Sequence, residues 1–134
     1  MVVGEEREPR MRKGAMKAVF AYITCPSLAE AKRIGRVLVE ERLAACVNLL
    51  PGMYSLYRWQ GKIETAVEVV LIAKTLRARA PALTRRVTAL HPYSCPCVVL
   101  LPVVGGAAAY LRWLAEGSVP APRLRRRKAG GRSR

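Results

Sequence analysis

Residues 42–62 read RLAACVNLLPGMYSLYRWQGK, an apolar run that passes through Pro51-Gly52 and leaves through Tyr54, Tyr57 and Trp59. In an extended strand, successive side chains alternate between the two faces. Ala45, Val47 and Leu49 fall on one face and Ala44, Cys46 and Leu50 on the other, so both faces are apolar. Such a strand needs covering on two sides, and a chain of 134 residues offers it one core. The block therefore points to self-association before it points to any chemistry.

The flanking sequence supplies the other elements. Lys17 to Thr24 (KAVFAYIT) is a β-branched and aromatic run ended by Pro26, and it predicts a first strand. Ser27 supplies a helix cap, Glu30 completes a capping box, and Leu28, Ala31, Ile34, Leu38 and Arg42 follow at helical spacing. The quoted block is the second strand. It should bend or bulge at Pro51-Gly52, because Pro cannot donate to a ladder and Gly accepts unusual dihedrals. Trp59-Gln60-Gly61-Lys62 holds the Gly of a tight turn, and Ile63 to Lys74 (IETAVEVVLIAK) completes a hairpin. On this third strand Glu68, Val70, Ile72 and Lys74 share one face, with Val67, Val69, Leu71 and Ala73 on the other.

Pro81 in a first turn, followed by Leu83, Val87 and Leu90, predicts a second helix that stops at His91-Pro92. Cys97 to Val103 reads as a fourth strand and Ala107 to Ala115 as a short terminal helix. The order β-α-β-β-α-β plus a terminal helix predicts an α+β fold of the ferredoxin-like kind, an antiparallel sheet with two helices on one face. The second sheet face and the long hairpin are then left for a homo-oligomeric partner.

The formal net charge is +15. Residues 1–18 contribute +2, residues 19–119 contribute +6, and the last fifteen contribute +7. Three regions follow: a flexible extension over 1–15, a folded domain over 16–119, and an Arg-rich tail over 120–134. The tail, PAPRLRRRKAGGRSR, has one Leu to bury and reads as disordered, either a weak polyanion-binding arm or a solvated tail. Met16 opens the strand pattern, so Met1 and Met16 both qualify as starts. There is no apolar core of signal-peptide length and no uninterrupted run of about 18 apolar residues, so the expectation is a cytoplasmic protein with no membrane segment. The four Cys, at 25, 46, 95 and 97, are accordingly expected to be thiols.

The passages ERLAACVNLLPGMYSLYRWQGKIE, EVVLIAKT, HPY-x-x-P and YLRWL resemble the CutA family, small trimeric proteins associated with divalent cation tolerance. They occur in order across roughly Lys17 to Ala115. The resemblance implies a ferredoxin-like protomer, a trimer built by edge-to-edge strand contacts, and binding of divalent metals, copper in particular. It also implies an architecture similar to that of the PII signalling trimers, which bind nucleotides and effectors between subunits.

His91 is the only imidazole. It can ligate a metal through a ring nitrogen, or cap helix carbonyls and support the Pro turn. Cys95 and Cys97 flank Pro96 and, in an extended segment, point to one face roughly 7 Å apart. They read either as two soft thiolates for Cu(I) or as two small core hydrophobes. Ser94 stands where the family usually has an acidic residue, which removes a hard oxygen ligand and favours a softer site. Cys25 and Cys46 read as packing residues. Tyr57, Arg58, Trp59, Lys62, Lys74 and Tyr93 combine rings with cations, either as the lining of an intersubunit cleft for an anionic ligand or as an interface core with solvated charges. With one His and no Asp, no nucleophile–base–orienter set can be assembled, and an enzyme is not expected. No cofactor is obligatory on this reading; copper or another divalent cation is the expected ligand.

Overall fold

A computed structural model describes residues 17–121. The proposed extension over 1–15 and nearly all of the Arg-rich tail lie outside the described residues. Strand β1 (Ala18–Cys25), helix α1 (Leu28–Glu40), strands β2 (Cys46–Trp59) and β3 (Lys62–Leu76), helix α2 (Ala80–Leu90), strand β4 (Val98–Pro102) and helix α3 (Ala108–Gly117) follow in that order. The four strands form one antiparallel sheet in the order β2-β3-β1-β4.

Local signals account for most element ends. The Ser27 side chain accepts a hydrogen bond from the Glu30 amide at 3.1 Å and starts α1. The reciprocal half of the expected capping box is replaced, because the Glu30 carboxylate takes Arg33 instead, at 2.6 Å. Gln60 and Gly61 both have positive φ, 50° and 81°, the pattern of a two-residue hairpin turn whose twist matches its strands. Helix α2 carries Pro81 in its first turn and ends as His91 turns extended before Pro92.

Helices α1 and α2 cover one face of the sheet. Ile34 and Leu38 of α1 and Leu83 and Val87 of α2 pack against Ala21, Ile23 and Cys25 of β1 and Val69, Leu71 and Ala73 of β3, all buried. Helix α3 lies on the opposite face, where Leu111 and Leu114 meet Ala18 and Leu76 beside Phe20. Alternation along β1 requires this placement, since residues 18 and 20 point away from residues 21, 23 and 25. Helix α3 covers only the end of the second face near the start of β1. Arg42, in a left-handed conformation (φ 58°) just past α1, donates to the carbonyls of Glu116 and Val119 at 2.8 and 2.6 Å and so ties the end of α3 to the domain.

Strand β3 pairs with β1 only over Val69 to Leu76, whereas its pairing with β2 continues to Lys62. The far half of the β2–β3 hairpin is therefore a two-stranded arm that overhangs the sheet. It leaves Tyr54, Leu56, Ile63 and Val67 more than 60% exposed on one face, and Tyr57 and Trp59 about half exposed on the other.

Candidate functional site

The irregularity in β2 decides which side chains meet. Leu50 pairs with Val70 and Met53 with Glu68, so three residues of β2 span two of β3 across Pro51-Gly52. An extra residue reverses the alternation. Before the bulge, odd-numbered Val47 and Leu49 pack toward the core under α1 and α2. After it, odd-numbered Met53, Ser55, Tyr57 and Trp59 turn to the opposite face, the one that holds Tyr22, Thr24 and Glu68. Arg58 is thereby placed on the far side of the arm from Tyr57 and Trp59.

These side chains, with the loop Tyr93 to Cys97 closing one wall, line a cleft of about 680 Å³. At its floor lies Glu68, only 8% exposed. Ser55 donates to Glu68 Oε1 at 2.8 Å and the Tyr93 phenol to Oε2 at 2.7 Å. Tyr22 donates to the Met53 sulfur at 3.3 Å. Burial, reinforced by the Glu68 carboxylate, drives the Tyr93 phenol well above its ordinary range.

Beneath the cleft, burial pushes the Cys25 thiol up to about 11 from 9.0, with Glu30 and Glu68 adding to the effect. Below pH 9 the thiol is protonated in the folded and unfolded chain alike, and its contribution to stability is fully present. As pH rises toward about 11 only the unfolded chain releases the proton, so the contribution is lost through that window. Denaturant midpoints should accordingly fall between pH 9 and 11, and Cys25→Ala should flatten that fall; an unchanged slope in the variant would assign the loss to other groups.

His91 stands outside the cleft lining and has both ring nitrogens engaged. Nε2 lies 2.8 Å from the Thr24 carbonyl, and Nδ1 accepts the Tyr93 amide at 3.1 Å. A carbonyl only accepts and an amide only donates, which fixes the proton on Nε2 and occupies the Nδ1 lone pair. In this arrangement neither nitrogen is available to a metal ion; the ring pins the Pro92 turn to the end of β1. Cys95 is exposed and Cys97 half-buried, and both line the cleft. Among the described residues, no group of three or more His, Cys, Asp or Glu side chains is arranged to hold a metal ion. A set built on His91, Cys95 and Cys97 together is thus not assembled within one chain.

Of the expected anion-site residues, Tyr57, Trp59 and Tyr93 line the cleft; Arg58, Lys62 and Lys74 do not. Lys62 opens β3 opposite Trp59 at the tip of the arm. Lys74 lies beside α3, donating to the Tyr110 hydroxyl at 3.2 Å and sitting 5.4 and 5.5 Å from the ring centres of Phe20 and Tyr110. Sequence reasoning passed over Glu68, Ser55, Met53 and Tyr22. No local signal singled out Glu68, which shares its strand face with Lys62, Glu64 and Lys74.

The family model for the CutA1 divalent ion tolerance protein matches residues 19–117. The chain belongs to the CutA1 family. It is 50% identical over 96 residues to the divalent-cation tolerance protein CutA of Thermus thermophilus, covering 72% of this chain and 93% of that one. Against protein CutA of Mus musculus it is 49% identical over 96 residues, again 72% of this chain but 54% of the longer mouse protein. The crystal structure of CutA from Xylella fastidiosa superposes with a TM-score of 0.75 at 46% identity, covering 77% of this chain and 99% of that one. A CutA structure from Archaeoglobus fulgidus, described as periplasmic, gives 0.74 at 41% identity over 76% and 99%. The CutA fold, a four-stranded antiparallel sheet with three helices, is thus common to this chain and its relatives. Among the described residues, no helix is long and apolar enough to cross a membrane.

Proposed function

We propose that this CutA1-family chain acts as a cytoplasmic homotrimer of ferredoxin-like protomers that binds divalent or soft transition-metal ions of the copper type in metal tolerance, without catalysing a reaction. The observation that carries the reading is the overhanging arm. Its two faces hold apolar and aromatic side chains left exposed in one protomer, and among the described residues both sheet edges, β2 and β4, carry no further strand. The sheet order β2-β3-β1-β4 supports the ferredoxin-like assignment.

Metal binding is supported by the family and by the thiols of Cys95 and Cys97 in one cleft, a donor type that selects soft ions. His91 enters this site only if it gives up its links to Thr24 and Tyr93. Titration of the full chain with Cu(I) under reducing conditions should give saturable uptake that Cys95→Ser/Cys97→Ser abolishes, while His91→Ala lowers thermal stability and leaves the stoichiometry unchanged. Uptake that survives the double variant would remove the thiols from the site.

A second reading has a specific observation behind it: five aromatic residues, Tyr22, Tyr54, Tyr57, Trp59 and Tyr93, line the cleft in the manner of a small-molecule sensor. For an anionic ligand of the PII type, the required cations would have to come from a neighbouring subunit. The Arg-rich tail remains proposed as a weak polyanion contact.

A further inference from the structure

Helices α1 and α2 cover one side of the sheet. The proposed oligomer takes up the opposite side and the sheet edges, so the outer surface of these two helices is the face it leaves to solvent. The charge of that face is one-sided. Residues 28–42 and 77–90 carry eight Lys and Arg against three Glu. Each of the three carboxylates already holds an arginine: Glu30 with Arg33 at 2.6 Å, Glu40 with Arg36 at 3.3 Å and Glu41 with Arg86 at 2.8 Å. Among the described residues, none of the ion pairs includes Lys32, Arg77, Arg79 or Arg85. Helix α2 and the turn that leads into it (Arg77–Arg79) hold no acidic residue. Arg77 and Arg85 are exposed, opposite the buried side of α2 formed by Ala80, Leu83 and Val87, and a rise of 1.5 Å per residue sets them roughly 12 Å apart along the axis.

Two observations select the partner. The first is where the chain leaves the domain. Arg79 donates to the Arg42 carbonyl at 3.3 Å, and Arg42 donates to the Val119 carbonyl at 2.6 Å. The seven cations of residues 120–134 therefore continue from the corner at which α2 begins, and two basic stretches distant in sequence adjoin. The second is what the face lacks. Between residues 77 and 90 no large apolar or aromatic side chain is exposed. Such a surface has no apolar anchor for a bilayer and no ring on which an unpaired base can stack. It offers cations repeated over a length, the complement of a duplex backbone with about one phosphate charge per 1.7 Å of axis. We propose that the α2 face, with Arg77 and Arg85 as its outer contacts, docks on the phosphate backbone of double-stranded nucleic acid without reading its bases. The surface extends the polyanion contact proposed for the tail, and it stands on the folded arginines without that contact.

Fluorescence anisotropy tests the proposal, with the full chain titrated into a labelled mixed-sequence DNA duplex and the RNA duplex of the same sequence at roughly 50 to 200 mM salt. Binding should be saturable and should weaken steeply with salt, and the tighter of the two duplexes identifies the source of the backbone. Arg77→Gln/Arg85→Gln should reduce the slope of log affinity against log salt by about 2, one phosphate contact for each arginine. Arg77→Lys/Arg85→Lys keeps the charge and should keep the slope. Lys62→Gln/Arg112→Gln removes the same charge from exposed positions on the other side of the sheet and should bind as the parent does. A tail variant with Arg123, Arg125, Arg126, Arg127 and Lys128 all changed to Gln should bind more weakly, yet lose a further slope of about 2 when the α2 pair is added. Parent-like binding by Arg77→Gln/Arg85→Gln with loss in the tail variant would overturn the α2 surface and leave the tail contact standing; the reverse result would remove the tail and keep α2. Equal losses in the two Gln pairs, no saturable binding of either duplex, or equally tight binding of the unpaired strand or of phosphatidylserine vesicles would each overturn the proposal.

Discussion

Leu71→Ala should lower the free energy of unfolding by roughly 3 kcal/mol, the middle of the range for emptying a fully buried leucine site. Leu71 is completely buried on β3 and belongs to the cluster that joins both helices of the main layer to the sheet. Two sources add. The removed methyls lose their transfer free energy, and the neighbours on a hydrogen-bonded central strand cannot close over the space. For a folded region of this size the loss corresponds to a fall in melting temperature of about 15 °C. Leu28→Ala, at a 39% exposed position on α1, is the control and should cost less than about 1 kcal/mol. Similar losses at the two positions would mean that the core is not organised around β3.

Leu56→Asp/Val67→Asp should convert the proposed trimer to single chains. Both side chains lie on the outer face of the arm, 64% and 63% exposed in one protomer, and neither shares a face with Glu68. The protomer therefore loses little by the exchange. A neighbouring subunit that covers this face would have to bury two carboxylates without partners, each costing about 3–5 kcal/mol. Light scattering should report three times the 14.8 kDa chain mass for the parent and one chain mass for the variant. A variant that stays at the parent mass would show that assembly uses another surface.

What could be read ahead of the structure was local. Ser27, Pro51-Gly52, Gln60-Gly61 and Pro81 act within a few residues of themselves, so their positions state where a helix starts, a strand bulges or a hairpin turns. The two-sided apolar pattern of Ala44 to Leu50 falls short of the arm, on the stretch that leads into β2 and pairs with Val70 to Lys74. Glu68 stayed silent because its partners come from residues 13 and 25 positions further along or back in the chain, and nothing near it in sequence marks it as different from Glu64. His91 was legible as the end of a helix. The bond from its Nε2 was not, since the acceptor is the Thr24 carbonyl, 67 residues earlier. Lys74 and Arg58 were expected to line a cleft between subunits; within one chain, a one-residue bulge and the placement of α3 set them apart from the cleft that holds Glu68. Geometry, rather than composition, left the cleft with a carboxylate and no cation.

The overhanging arm has a consequence for the protein's behaviour in solution. If its apolar faces are covered only by other copies, part of the folding free energy belongs to the assembly and varies with the logarithm of protein concentration. Dilution then acts as a denaturant: the melting temperature drifts downward as the solution thins, and a cell that makes little of the chain holds it closer to its unfolding threshold than one that makes much.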